Sequence, residues 1–101
     1  MYSKDKLGKL RKIAELSPKT MAAFRAWDKA ALEEDSIPKK YKELIAIGVA
    51  LTTQCPYCIE LHRQEALRAG AREQELAEVI HVAAALRAGG AITHGTHLLE
   101  G

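Results

Sequence analysis

"EDSIPKKYKELIAIGVALTTQCPYCIELHRQEALRAG", residues 34–70, carries the chain's two cysteines, Cys55 and Cys58, followed closely by His62. Its apolar residues recur at spacings of three and four, the period of a helix packed on one side. Pro38 stands near the start of the first half. Pro56 stands at the start of the second, in a first turn where a missing N–H costs nothing. The spacing therefore predicts two helices, from Pro38 to about Thr53 and from Pro56 to Gly70, with Gly70 ending the second in a left-handed cap. From Leu44 to Leu51 the first of these is apolar nearly all round, so it is expected to be the central, most buried helix.

The same periodicity continues on both sides, and no stretch alternates as a strand would. Residues 4–16 place Leu7, Leu10, Ile13 and Ala14 on one face. Ser17 can cap a second helix with Pro18 at its first position, running through Met21, Phe24 and Ala31 to near Asp35. After residue 70, a fifth helix is expected from Arg72 to Arg87, with Leu76, Val79, Ile80, Ala83 and Leu86 as its core stripe. Gly89 and Gly90 should break it before a short last helix holding His94 and His97. The expected architecture is all-α: a compact bundle of about six helices around two central antiparallel ones.

The length of 101 residues fits one domain, with a core over 38–97 and an N-terminal helical hairpin over 1–35. A chain of this size hides only about two thirds of its unfolded surface. With 48% hydrophobic residues but only 5% aromatics, the apolar content is mostly Ala, Leu, Ile and Val, which suits close helix packing and homo-oligomeric contacts. The net charge of +2 comes from 15 basic and 13 acidic residues scattered along the chain, so neither nucleic acid nor a membrane surface is an expected partner. The run Leu44–Leu51 is far short of the roughly 20 residues a membrane span needs. No signal-like apolar stretch follows the N-terminal lysines. A cytoplasmic protein is the expectation.

Two cysteines three positions apart close too small a loop to restrain an unfolded chain. In a cytosolic protein such a pair points to redox chemistry or metal binding. On a helix, Cys55, Cys58 and His62 fall within a wedge of roughly 60°. Cys58 and His62 are four residues apart, so the imidazole can reach the sulfur and take its proton. Cys55 is nearer the positive end of the helix dipole, which also favours a thiolate. On these grounds either cysteine could be the reactive one. Glu43 falls on a small-residue stripe with Ala46, Ile47 and Ala50, where a carboxylate needs a partner. That partner is Lys39 one turn earlier, or solvent if the carboxylate lies near enough to the helix start, or His62 in a carboxylate–imidazole–thiol relay with the logic of a catalytic triad. Zinc is a further alternative, held by Cys55, Cys58 and His62 with His81, His94 or His97 as a fourth ligand; no second ligand pair has finger-like spacing.

Taken together, Glu43, eleven intervening residues, Cys55, Pro56, Tyr57, Cys58, three residues and His62 resemble the Glu-x11-Cys-x-x-Cys-x3-His signature of the alkylhydroperoxidase D (AhpD) branch of the carboxymuconolactone decarboxylase superfamily. The texture extends from Pro38 to His97 and includes "AEVIHVAAALRAGGAITHG". The resemblance implies a helical domain assembled into trimers or hexamers. It also implies a thiol peroxidase or disulfide reductase working without a metal or organic cofactor. Carried over residue by residue, Cys58 would attack the peroxide oxygen and Cys55 would resolve the sulfenic acid as a Cys55–Cys58 disulfide. His62 would be the base, acting through a water, and Glu43 would hold and polarise it. An external dithiol, a lipoyl group or a thioredoxin-like protein, would then reduce the disulfide.

One position departs from the pattern. The peroxidase members carry a histidine just before the second cysteine, where this chain has Tyr57, a phenol whose usual pKa of about 10 makes it no base near neutrality. Two other functions remain open at this point: lactone decarboxylation, for which the superfamily is named and which generally proceeds without a cysteine pair, and a non-catalytic redox-sensing or assembly module. His81, on an alanine-rich stripe, and His94 and His97 read as surface or intersubunit residues.

Overall fold

The computed structural model describes residues 4–101, with side chains from Gly8 onward. Its elements are α1 (Lys4–Leu16), α2 (Pro18–Leu32), α3 (Lys39–Thr53), α4 (Pro56–Arg68), α5 (Glu73–His94) and a 3-10 turn (Gly95–Leu98). No strand occurs among the described residues. Leu7, expected on the apolar face of α1, lies outside the described side chains. Leu10 and Ile13 on that face are exposed.

The predicted helix pair is present as α3 and α4. Pro38 is the residue before α3, Pro56 is the first residue of α4, and Gly70 adopts φ +97° just beyond α4. The two residues between the helices turn the chain back sharply. Gln54 takes a left-handed conformation at φ 56°, uncommon for a residue with a Cβ, and the Cys55 N–H donates to the Ala50 carbonyl at 3.2 Å. As a result α4 runs back along α3.

Small side chains let these helices approach closely. Ile47, Ala66 and Ala71 form a buried cluster, with Leu44, Leu51, Leu76 and Val79 packed around it. α5 closes the other side of α3. Lys40 Nζ lies 3.0 Å from Glu75 Oε2 near one end of that contact, and Arg87 donates to the Thr52 carbonyl at 3.1 Å near the other.

Three local expectations are corrected. The Ser17 hydroxyl does not cap α2; it donates backwards to the Ile13 carbonyl, a competition open to any serine in this position. α2 stops at Leu32, short of Asp35. Gly89 and Gly90 do not break the chain, since α5 runs through them to His94. Neither glycine has positive φ, so each costs only its helix propensity, about 1 kcal/mol relative to alanine, too little to stop a long helix. The expected short last helix is reduced to the 3-10 turn. Continuity also makes Glu73–Leu98 long and apolar enough, by length and composition, to cross a membrane.

The α1–α2 hairpin stands apart from the packed unit of α3, α4 and α5. Phe24 and Trp27 of α2 are exposed, as are Val49 of α3 and Val82 and Leu86 of α5. The radius of gyration is 16.9 Å, against about 13 Å for a close-packed domain of this length.

Candidate active site

The site forms where the start of α4 faces the first half of α3. Cys55 occupies the N-cap of α4, and its sulfur accepts the Cys58 backbone N–H at 3.3 Å. A sulfur thus fills the place usually taken by a serine or aspartate oxygen. Cys55 and Cys58 are joined as a disulfide, with their Cα atoms 5.3 Å apart. Both are half-buried. His62 follows one turn after Cys58 on the same helix, the spacing that makes helical side chains neighbours.

Glu43 is the largest fully buried side chain, 1% exposed. It reaches both partners that the sequence left open as alternatives. Its Oε1 lies 2.7 Å from His62 Nδ1, and its Oε2 lies 2.7 Å from Lys39 Nζ. A carboxylate paired with an ammonium only accepts hydrogen bonds, so the hydrogen in the His62 contact sits on Nδ1. In a neutral ring held this way the lone pair lies on the other nitrogen, Nε2. Lys39 Nζ also donates to the Leu32 carbonyl at 2.8 Å, which joins the end of α2 to the site.

Glu43 and His62 are therefore in contact, and Cys55 and Cys58 are joined at the start of the helix that carries His62. His81, His94 and His97 do not join them: all three are exposed, and the rings of His94 and His97 pack edge-on at 4.9 Å. Among the described residues no group of three or more His, Cys, Asp or Glu stands close enough to hold a metal ion. Sequence reasoning weighed Lys39 only as a competitor of His62; the four-residue spacing to Glu43 was its signal. The Leu32 carbonyl and the left-handed Gln54 carried no readable signal, being backbone features. A groove of about 600 Å³ runs along α3 and α5, lined by Ile45, Val49, Val79, Val82 and Leu86 among others, and contains none of the four motif residues.

Residues 18–101 match the family described as "Carboxymuconolactone decarboxylase family". "Uncharacterized protein 4 in cox locus" from Paracoccus denitrificans is 44% identical over 77 residues, which are 76% of this chain and 69% of that protein. An uncharacterized protein from Cupriavidus necator is 37% identical over 70 residues, 69% of this chain and 62% of that one. Among solved structures, a protein from Methanobacterium thermoautotrophicum superposes with a TM-score of 0.76 at 32% identity, covering 82% of this chain and 95% of its own. A carboxymuconolactone decarboxylase family protein from Legionella pneumophila gives 0.74 at 32% identity, covering 92% and 83%.

Proposed function

From the premise that this chain belongs to the carboxymuconolactone decarboxylase family, we propose that it is an AhpD-like thiol peroxidase or disulfide reductase. The carrying observation is the buried carboxylate–imidazole pair, Glu43 with His62 at 2.7 Å, one helical turn from a cysteine pair already joined as a disulfide. Burying a carboxylate is unfavourable unless its charge is used or paired.

In this reading the reduced protein begins the cycle. His62 takes the Cys58 thiol proton through a water, and the thiolate sulfur attacks one oxygen of a hydroperoxide. The O–O bond breaks, the alcohol leaves after gaining a proton, and Cys58 becomes a sulfenic acid. The Cys55 sulfur displaces that hydroxyl as water, forming the Cys55–Cys58 disulfide. An external dithiol, lipoyl or thioredoxin-like, then returns both sulfurs to thiols and leaves as its own disulfide. No metal, organic cofactor, nucleic acid or membrane has a part in this cycle, and the cytoplasm is a compartment that supplies the dithiol.

The working form is a homo-oligomer, trimeric or hexameric. The chain exposes 8065 Å², whereas a monomer of 11.1 kDa ordinarily exposes about 5,700 Å². The difference is ample for the roughly 800 Å² that each partner contributes to a standard interface.

The test is a thiol titration of the reduced protein before and after one equivalent of hydroperoxide. Loss of both thiols and recovery with a dithiol is the expected result; thiols that persist would remove the reading. Muconolactone decarboxylation that survives replacement of both cysteines would put the family's name-giving reaction in its place.

A further inference from the structure

Lys39 is held by more contacts than a surface ion pair needs. Its ammonium lies 2.7 Å from Glu43 Oε2 and donates to the Leu32 carbonyl at 2.8 Å. Its backbone N–H donates to Glu34 Oε2 at 3.0 Å. The segment between α2 and α3 thus fixes the place of one cation against a carboxylate that water scarcely reaches, since Glu43 is 1% exposed. The other Glu43 oxygen, Oε1, lies 2.7 Å from His62 Nδ1.

We infer that Lys39 is a positioning residue whose charge keeps Nε2 of His62 free of hydrogen, so that this nitrogen can receive the thiol proton. The inference rests on the thiol-redox reading above for its purpose, and on charge balance for its argument. With Lys39 present, a partly exposed ammonium, the buried carboxylate and a neutral imidazole sum to zero net charge. Without the ammonium, a buried carboxylate would face a neutral ring alone, which is strongly unfavourable.

Two remedies exist, and each takes one proton from solvent. If the proton goes to the ring, His62 becomes an imidazolium with hydrogen on both nitrogens. If it goes to Glu43, the new O–H donates to Nδ1, and the ring's single hydrogen moves to Nε2. Both end with hydrogen on Nε2. Removing one cation that does not touch the sulfurs would therefore deprive Cys58 of its proton acceptor.

The ring can be watched directly by nitrogen NMR of isotopically labelled protein in the disulfide form, near neutral pH, with the signals assigned by comparison with His62→Gln. Wild type should show hydrogen on Nδ1 and none on Nε2. Lys39→Met, which keeps the aliphatic stem, should show hydrogen on Nε2, and Lys39→Arg should restore the wild-type signature. A folded Lys39→Met with Nε2 still bare would overturn the inference, because a purely structural lysine leaves the ring unchanged. Hydrogen on Nε2 in wild type would be equally fatal, and should Lys39→Met fail to fold, Lys39→Gln, neutral but still able to donate to the Leu32 carbonyl, is read in the same way. Failure of the redox reading looks different, as wild-type thiols indifferent to hydroperoxide with the ring signature intact.

Discussion

Glu43 Oε1 and His62 Nδ1 lie 2.7 Å apart across 19 positions of sequence. The contact joins α3 to α4 through a buried carboxylate. Replacing Glu43 by Gln keeps the shape but leaves the Lys39 ammonium without a carboxylate. Breaking a fully buried pair typically costs 3–5 kcal/mol; Lys39 is 37% exposed and can turn to water, so the expected loss is about 2 kcal/mol, read from urea unfolding. Peroxide consumption should fall about 100-fold, the scale of a general-base contribution, with both thiols still present.

The two sulfurs should separate by function. Cys58→Ser is expected to abolish peroxide consumption, whereas Cys55→Ser should consume one equivalent and stop with a sulfenic acid trapped at Cys58. A dimedone-type label followed by peptide mass analysis identifies the oxidised residue. The reverse pattern would exchange the roles given to them.

Glu75 supplies a pH dependence. Its carboxyl is held below its ordinary range, chiefly by the Arg72 backbone N–H and next by the Lys40 ammonium. A carboxyl with a folded pKa below its unfolded value stabilises the fold above the unfolded value, and that contribution disappears as pH falls through the folded one. Wild type should therefore be more stable than Glu75→Gln near neutrality. The gap should close as pH drops below the usual glutamate value of about 4.3. Thermal melts of both proteins over that range give the comparison.

Ala66 is 0% exposed at the centre of the buried cluster. Ala66→Leu forces extra methylenes between α3 and α4, with an expected destabilisation of about 1–3 kcal/mol. Because Glu43 and His62 face each other across the same pair of helices, the variant should also lose peroxide consumption beyond its loss of fold. Comparing activity at a temperature where both proteins are fully folded isolates that second effect.

Val49 and Val82 are 57% and 61% exposed on the walls of the α3–α5 groove. If a second copy covers this face, Val82→Glu should lower the molar mass measured by light scattering to that of one chain. Retention of the oligomer would move the contact to the α1–α2 hairpin, where Trp27 is 74% exposed.

The sequence made the helices around the cysteines legible because their boundaries rest on proline, glycine and apolar period, all local signals. The site was legible for a related reason: one helix sets the Cys58 to His62 spacing, and a buried acid on an alanine stripe announces that something must face it. Reading failed where backbone or cooperative effects decide. Two adjacent glycines looked like a stop, yet α5 is long enough to absorb their cost. Ser17 had a better acceptor behind it than ahead. The choice between Lys39 and His62 as partner of Glu43 was posed as a contest, although a carboxylate has two oxygens and serves both.

Cys55 is at once the cap of α4 and one half of the disulfide. In the proposed cycle a dithiol that attacks this sulfur meets the same atom that holds the first turn of α4, so amide hydrogen exchange at Cys58 should differ between the disulfide and the reduced forms.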